Sequence, residues 1–255
     1  MIKKYYRIFQ SFLFFWIMKT INKIFSNCKI KILPPLGEKK DFTFDFSQKT
    51  RRVVFRKDED CFGKIIFDSS LNESFLCNLG KNYNTNKSGI NLSGHRSGYT
   101  SLYNLLLTNL KNKKCSIAEI GIEKNASTKM WRKYFRKASI DCFEIDKNKI
   151  SYAKKQKLKG VKYHYIDVQN KKLIDLQFKK LKKKFDLIID DSTHIFDHQI
   201  NIIFNTYKYL KQGGILIIED IYRYRKGYEE KRYYNSLKKL KKNFSDIVFI
   251  ETSHV

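Results

Sequence analysis

From Tyr99 onward, short apolar runs alternate with stretches whose apolar residues recur at every third or fourth position. The pattern predicts a helix over about Tyr99–Leu110, a strand at Ser116–Ile120 and a helix at Ser127–Phe135. It continues with a strand at Ser139–Ile145, a helix at Asn148–Leu158, a strand at Lys162–Ile166 and a helix at Lys171–Lys184. A strand at Asp186–Asp190, a helix at Phe196–Leu210, a strand at Gly214–Glu219 and a helix at Glu229–Lys242 follow, before a sixth strand at Asp246–Thr252. Such alternation implies right-handed βαβ crossovers. The expected fold is α/β: a Rossmann-like, doubly wound, mostly parallel sheet with helices on both faces.

Upstream the pattern differs. "DFTFDFS" (Asp41–Ser47), "RRVVFR" (Arg51–Arg56) and "GKIIFD" (Gly63–Asp68) alternate with period two, which predicts a small antiparallel sheet. Lys81–Gly98 is polar and reads as a loop. Residues 1–18 join Lys3, Lys4 and Arg7 to an apolar run, like the opening of a signal peptide, but no small-residue cleavage site follows. The uncharged part, Ile8–Met18, is shorter than the ~20 residues of a spanning helix. Two readings stay open for it: an amphipathic helix on a membrane surface or partner, and a helix packed on its own domain. Pro34 and Pro35 close that segment, so the expected units are 1–36, 37–80 and 81–255.

Composition narrows the partners. The chain has 52 basic and 25 acidic residues, a formal charge of +27. Only ten of the basic residues are arginine, and the 42 lysines are spread along the whole chain. A nucleic-acid reader more often clusters its charge and uses Arg forks. Nucleic acid is therefore disfavoured as a partner. Five cysteines without a CxxC pair imply reduced thiols in a cytoplasmic protein, with peripheral contact at the inner membrane face if residues 1–18 dock there. Self-association stays open.

In a doubly wound sheet, ligands sit beyond the carboxyl ends of the strands. Here every one of the first five of those strands runs into an acid. "AEIGIEKNAS" places Glu119, Gly121 and Ser127 after the first, and "CFEIDKN" places Glu144 and Asp146 after the second. "YIDVQN" offers Asp167, "DLIIDDSTH" offers Asp190, Asp191 and His194, and "ILIIED" offers Glu219 and Asp220. Glu144 lies 23 residues after Gly121, where an acid binds the ribose hydroxyls of a nucleoside cofactor. The loop after Gly121 lacks G-x-G-x-x-G, and Glu119 and Glu123 would receive a pyrophosphate poorly. A cationic sulfonium, S-adenosylmethionine, suits those acids better than NAD.

The ordered series "AEIGI…MWRKYF", "IDCFEIDKN", "YIDVQN", "DLIIDDSTH" and "YLKQGGILIIEDI" resembles the class I S-adenosylmethionine-dependent methyltransferases. Among these it looks most like the macrocin and mycinamicin type sugar O-methyltransferases and their cephalosporin hydroxylase-like relatives. Upstream, "NTNKSGINLSGHRSGYTSLY" is similar to that family's Thr-Asp-Lys…His-Gly-Tyr…Tyr segment. The resemblance implies a divalent metal held by Asp191, Glu219 and Asp220, with His194 as the base. It implies cofactor contacts from Glu119, Gly121, Ser127, Glu144, Asp167 and Asp190. Three hard oxygen ligands without thiolate favour Mg²⁺ over zinc. The resemblance thus points to O-methylation of a sugar or glycan hydroxyl in bacterial polysaccharide or natural-product biosynthesis. Two features depart from the family: Glu123-Lys124-Asn125 replaces small residues, and no seventh strand follows the sixth.

Simpler roles compete for the same residues. Asp190 or Asp191 could cap the next helix, although Ser192 or Thr193 could do so equally. Asp167 could merely cap its loop, and His198 reads as a packing histidine. Trp131 and Phe135, four apart on a helix, read as core. A different class also competes: a non-catalytic Rossmann-like domain binding an anionic membrane or polymer through its basic surface. An Fe(II) hydroxylase is weaker, because a facial triad normally uses two histidines.

Overall fold

The computed structural model describes residues 53–57, 63–69, 73–88, 98–221 and 230–253. The segment 1–36, the strand expected at Asp41–Ser47, and Cys28 and Cys61 lie outside the described residues.

The central sheet has five strands: β3 (Ser116–Ile120), β4 (Ser139–Glu144), β5 (Val161–Tyr165), β6 (Phe185–Asp190) and β7 (Leu210–Ile218). Their order is β5-β4-β3-β6-β7, and every pairing is parallel. Helices α3 (Ala126–Tyr134), α4 (Lys147–Lys155), α5 (Lys171–Lys180) and α6 (Phe196–Thr206) make the crossovers. The chain runs outward from β3 to β5, then returns to place β6 on the other side of β3. The switch in strand order therefore falls between β3 and β6, where this topology opens a crevice.

The central strands are mostly apolar because both faces are covered. On one side, Ile117, Cys142 and Leu187 pack under Met130, Trp131, Tyr134 and Phe135 together with two earlier helices. These are α1 (Phe75–Asn82) and α2 (Tyr99–Leu107). On the other side, Ile120, Phe143 and Ile188 pack against Ile174 and Phe178 of α5 and Ile202 of α6. Trp131 and Phe135 are fully buried, as their helical spacing suggests. Local signals start the helices: Asp146 accepts from the amides of Asn148 and Lys149 at α4, and Asn170 from Leu173 at α5.

Two expectations are corrected. The sixth strand, β8 (Val248–Ser253), does not extend the main sheet. It pairs in parallel with β2 (Gly63–Asp68), which pairs antiparallel with β1 (Val53–Lys57). Phe249 of β8 instead joins Tyr233 and Tyr234 of α7 (Glu230–Lys238) in a third apolar cluster. The polar region from Lys81 is also not wholly loop, since α1 runs to Asn82 with Ser74 as its N-cap. Among the described residues, no helix is long and apolar enough to cross a membrane. Cys77, Cys115 and Cys142 are buried free thiols.

Candidate functional site at the switch point

Backbone hydrogen bonds carry the sheet one residue past its strands. The Asp191 amide donates to the Ile120 carbonyl at 2.8 Å, and that of Glu219 to Asp190 at 2.9 Å. The ends of β3, β6 and β7 are thereby locked together, and so are the acids that follow. Gly121 has φ +89°, and a Cβ there would lie 2.2 Å from the Asp191 carbonyl oxygen. His194 (φ 55°) and Asp220 (φ 53°) also hold the left-handed conformation, which is costly for residues with a side chain.

Three groups converge beyond β6 and β7. His194 Nε2 lies 3.8 Å from Asp191 Oδ1 and 3.6 Å from Asp220 Oδ2. One ligand atom from each of Asp191, His194 and Asp220 falls within 4.8 Å of the other two. These separations exceed hydrogen-bond lengths and suit atoms arranged about a small ion. The two carboxylates offer hard oxygen donors that a divalent cation fits, and the imidazole stands beside them.

Glu219, the third acid in the resemblance, points elsewhere. Its Oε1 accepts from the Tyr103 hydroxyl at 2.8 Å and its Oε2 from the Lys87 ammonium. Lys87 also donates to Asp191 Oδ2 at 2.5 Å. Its side chain is only 2% exposed. Burial alone would lower the Lys87 pKa, but Glu219 and Asp191 together outweigh it and hold the ammonium above its ordinary range. Burial likewise lifts the Glu219 carboxyl above the usual carboxylate range, against the pull of Lys87. The Tyr99 hydroxyl donates to Asp220, and Gln199 Nε2 donates to the Glu219 carbonyl at 3.0 Å.

The residues assigned to cofactor fall into two groups. Glu144 sits beside the turn after β3, with Oε2 accepting from the Ile122 amide at 3.2 Å and Oε1 from the Ile145 amide at 2.9 Å. Gly121 forms the same turn. Glu123 (φ 41°) and Asn125 (φ 65°) adopt left-handed conformations that small glycines would take more cheaply, so the loop keeps its winding without them. Glu119 belongs to the core: it is fully buried, accepting from Thr128 Oγ1 at 2.7 Å and Trp131 Nε1 at 3.0 Å. Ser127 is buried in the first turn of α3. Asp167 caps its own loop through the Gln169 amide at 2.9 Å. Asp190 is 1% exposed and accepts from the Ser192 hydroxyl and amide. Burial raises it to about 7. Neither acid caps α6, whose N-cap is Ile195.

No family model matches the chain. It is 28% identical over 135 residues to the 8-demethyl-8-(2-methoxy-alpha-L-rhamnosyl)-tetracenomycin-C 3'-O-methyltransferase of Streptomyces olivaceus, covering 49% of this chain and 32% of that protein. It is 24% identical over 131 residues to the demethylmacrocin O-methyltransferase of Streptomyces fradiae, with the same coverage. The match thus spans about a third of the length of either relative. Among solved structures, the MycE methyltransferase of mycinamycin biosynthesis, in complex with Mg and SAH, aligns with a TM-score of 0.46. It is 21% identical and covers 60% of this chain and 36% of that one. The chain has a Rossmann-like fold, a five-stranded parallel sheet with helices on both faces.

Within this fold, the sequence alone does not reveal Lys87, Tyr99 or Tyr103 as parts of the acid cluster. The signal existed only as the likeness of "NTNK…GYTSLY" to a family segment. A separate groove of about 600 Å³, lined by Lys147, Lys154, Lys155, Tyr163 and Tyr165, follows α4 and the edge strand β5. It lies at the edge of the sheet away from β6 and β7 and is not the acid site.

Proposed function

We propose that this protein is an S-adenosylmethionine-dependent, divalent-metal-assisted O-methyltransferase acting on a sugar or glycan hydroxyl. The observation that carries the reading is the convergence of Asp191, His194 and Asp220 at the switch point, against the Gly121 turn. The two relatives, both named as O-methyltransferases, support the choice of reaction, and the tetracenomycin enzyme's name supports a sugar-bearing acceptor.

In this reading Glu144 receives ribose hydroxyls of the cofactor while its other contacts hold the turn after β3 in place. Asp191 and Asp220 hold the cation. A divalent cation held there would supply Lewis acidity, which lowers the pKa of a nearby hydroxyl. A bound donor would supply an electrophilic methyl group on a sulfonium and be left as the neutral thioether. His194 Nε2 takes the acceptor's hydroxyl proton, a task suited to imidazole near neutral pH. Tyr99 and Gln199 keep the Asp220 carboxylate and the backbone beneath it fixed, so little reorganisation precedes proton transfer.

Calorimetry with S-adenosylmethionine, with and without Mg²⁺, tests the reading when paired with methyl transfer from labelled donor to a panel of glycosides. Cofactor binding together with transfer that disappears in Asp191→Ala is the expected result. Absence of cofactor binding, with salt-sensitive binding to anionic vesicles or polymers instead, would overturn it.

A further inference from the structure

One cation in the acid cluster belongs to the protein itself. Lys87 stands in the connection after α1, and its backbone is held on both sides: the Thr100 amide donates to its carbonyl at 3.1 Å, and its own amide donates to Thr85 Oγ1. The next residue, Ser88, donates to the Cys77 carbonyl at 2.8 Å. This bracing aims a buried ammonium at two strand ends, reaching Asp191 after β6 and Glu219 after β7. A lysine charge taken out of water needs such compensation.

We propose that Lys87 is a positioning residue that decides which carboxylates remain for a divalent ion. It withdraws Glu219 and one oxygen of Asp191, leaving Asp191 Oδ1 and Asp220 to hold the ion, with His194 Nε2 beside them as the base. This rests on the metal-assisted reading above, and departs from the resemblance, in which Glu219 is the third metal oxygen. Three observations support it. Both Glu219 oxygens are already engaged, one by Lys87 and one by Tyr103. The two Asp191 oxygens are divided, Oδ2 toward Lys87 and Oδ1 toward His194. The atoms that converge within 4.8 Å are those of Asp191, His194 and Asp220, without Glu219. Lys87 also cancels one formal negative charge among the three acids, so it tempers the attraction of the site for any cation.

Direct binding of Mn²⁺ to the full chain, followed by electron paramagnetic resonance, tests this without requiring activity. Asp220→Asn should weaken binding by about tenfold or more, as loss of a ligand does, while Glu219→Gln should stay within about threefold of wild type. Lys87→Met should bind Mn²⁺ about tenfold more tightly, because a nearby positive charge is gone and two oxygens are released. Lys87→Arg should stay near wild type. A lysine that only braced the fold would give the opposite sign on removal, since a loosened site binds less well. Glu219→Gln weakening Mn²⁺ binding as much as Asp220→Asn does would overturn the proposal. So would a folded Lys87→Met that binds no more tightly than wild type. If Lys87→Met does not fold, Glu219→Gln decides alone. Absence of Mn²⁺ binding in wild type and every variant would instead remove the metal-assisted reading, and this inference with it.

Discussion

Gly121 touches the backbone of Asp191: a β-carbon at Gly121 would stand 2.2 Å from the Asp191 carbonyl oxygen and 2.7 Å from its carbonyl carbon. Both obstacles are backbone, so no rotamer change relieves them, and the residue's φ of +89° is itself costly for an L side chain. Gly121→Ala should therefore push the β3 turn away from the end of β6 and separate Glu144 from Asp191. We expect a loss of about 2–4 kcal/mol in urea denaturation, with S-adenosylmethionine binding reduced even where the variant folds. A fully stable Gly121→Ala with unchanged cofactor affinity would show that the two turns are not coupled.

The order of strands and helices from Ser116 to Ile218 was legible because each element announces itself locally: apolar runs of strand length, capping residues and helical spacing. The acids were legible for a different reason, since a parallel sheet delivers whatever follows each strand to one edge. Lys87 was not legible. It lies 104 and 132 residues from its partners and is one of 42 lysines, so nothing local marks it. β8 was misplaced because "VFIETS" reads as a strand in either sheet, and only the third apolar cluster, with Phe249 against Tyr233 and Tyr234, decides which. The loop after β3 looked poor in glycine, yet Glu123 and Asn125 supply the same backbone winding at an energetic cost that sequence does not display.

Glu119 offers a test of core against site. Its two oxygens satisfy Thr128 and Trp131 beneath α3, and burial raises its pKa despite the hydroxyl donors and the charge of Lys87. Glu119→Ala would strand a hydroxyl and an indole N–H in a closed interior and leave a cavity. The expected cost is about 2–4 kcal/mol, read as a lower midpoint in urea. Cofactor affinity of the folded fraction should change little. A large loss of affinity at unchanged stability would instead make Glu119 a cofactor ligand.

Stability in acid should report on Asp141. This residue is 1% exposed on β4, with His164 Nε2 at 2.8 Å and the Lys183 ammonium against its other oxygen. Burial pushes its pKa up, but the hydrogen bonds from His164 and Lys183 outweigh burial and leave it below the ordinary value. A carboxyl depressed in the folded state contributes stability above its unfolded pKa of about 3.9 and loses it as pH falls through the folded value. Asp141→Asn should thus be less stable than wild type at neutral pH, by about 1.5–3 kcal/mol for a charge-assisted pair. The gap should close below about pH 4. Parallel urea curves with a constant gap across that range would contradict it.

His194 combines a chemical role with a backbone one, and the two can be separated. Its φ of 55° puts it in the left-handed region, which Asn tolerates better than other residues with a side chain. His is itself among the residues that accept this region, so replacing it by Ala removes the imidazole and adds strain, whereas His194→Asn removes the imidazole and keeps a tolerated backbone. If Nε2 accepts the proton of the acceptor hydroxyl, both variants should lose methyl transfer by about 100- to 10,000-fold, the range for removal of a general base. Binding of S-adenosylmethionine should stay close to wild type in both, because the Gly121 turn and Glu144 are untouched. Only His194→Ala should also melt earlier. Retention of transfer by His194→Asn, at a stability equal to wild type, would mean that the proton leaves by another route and that the conformation, not the imidazole, is what this position supplies.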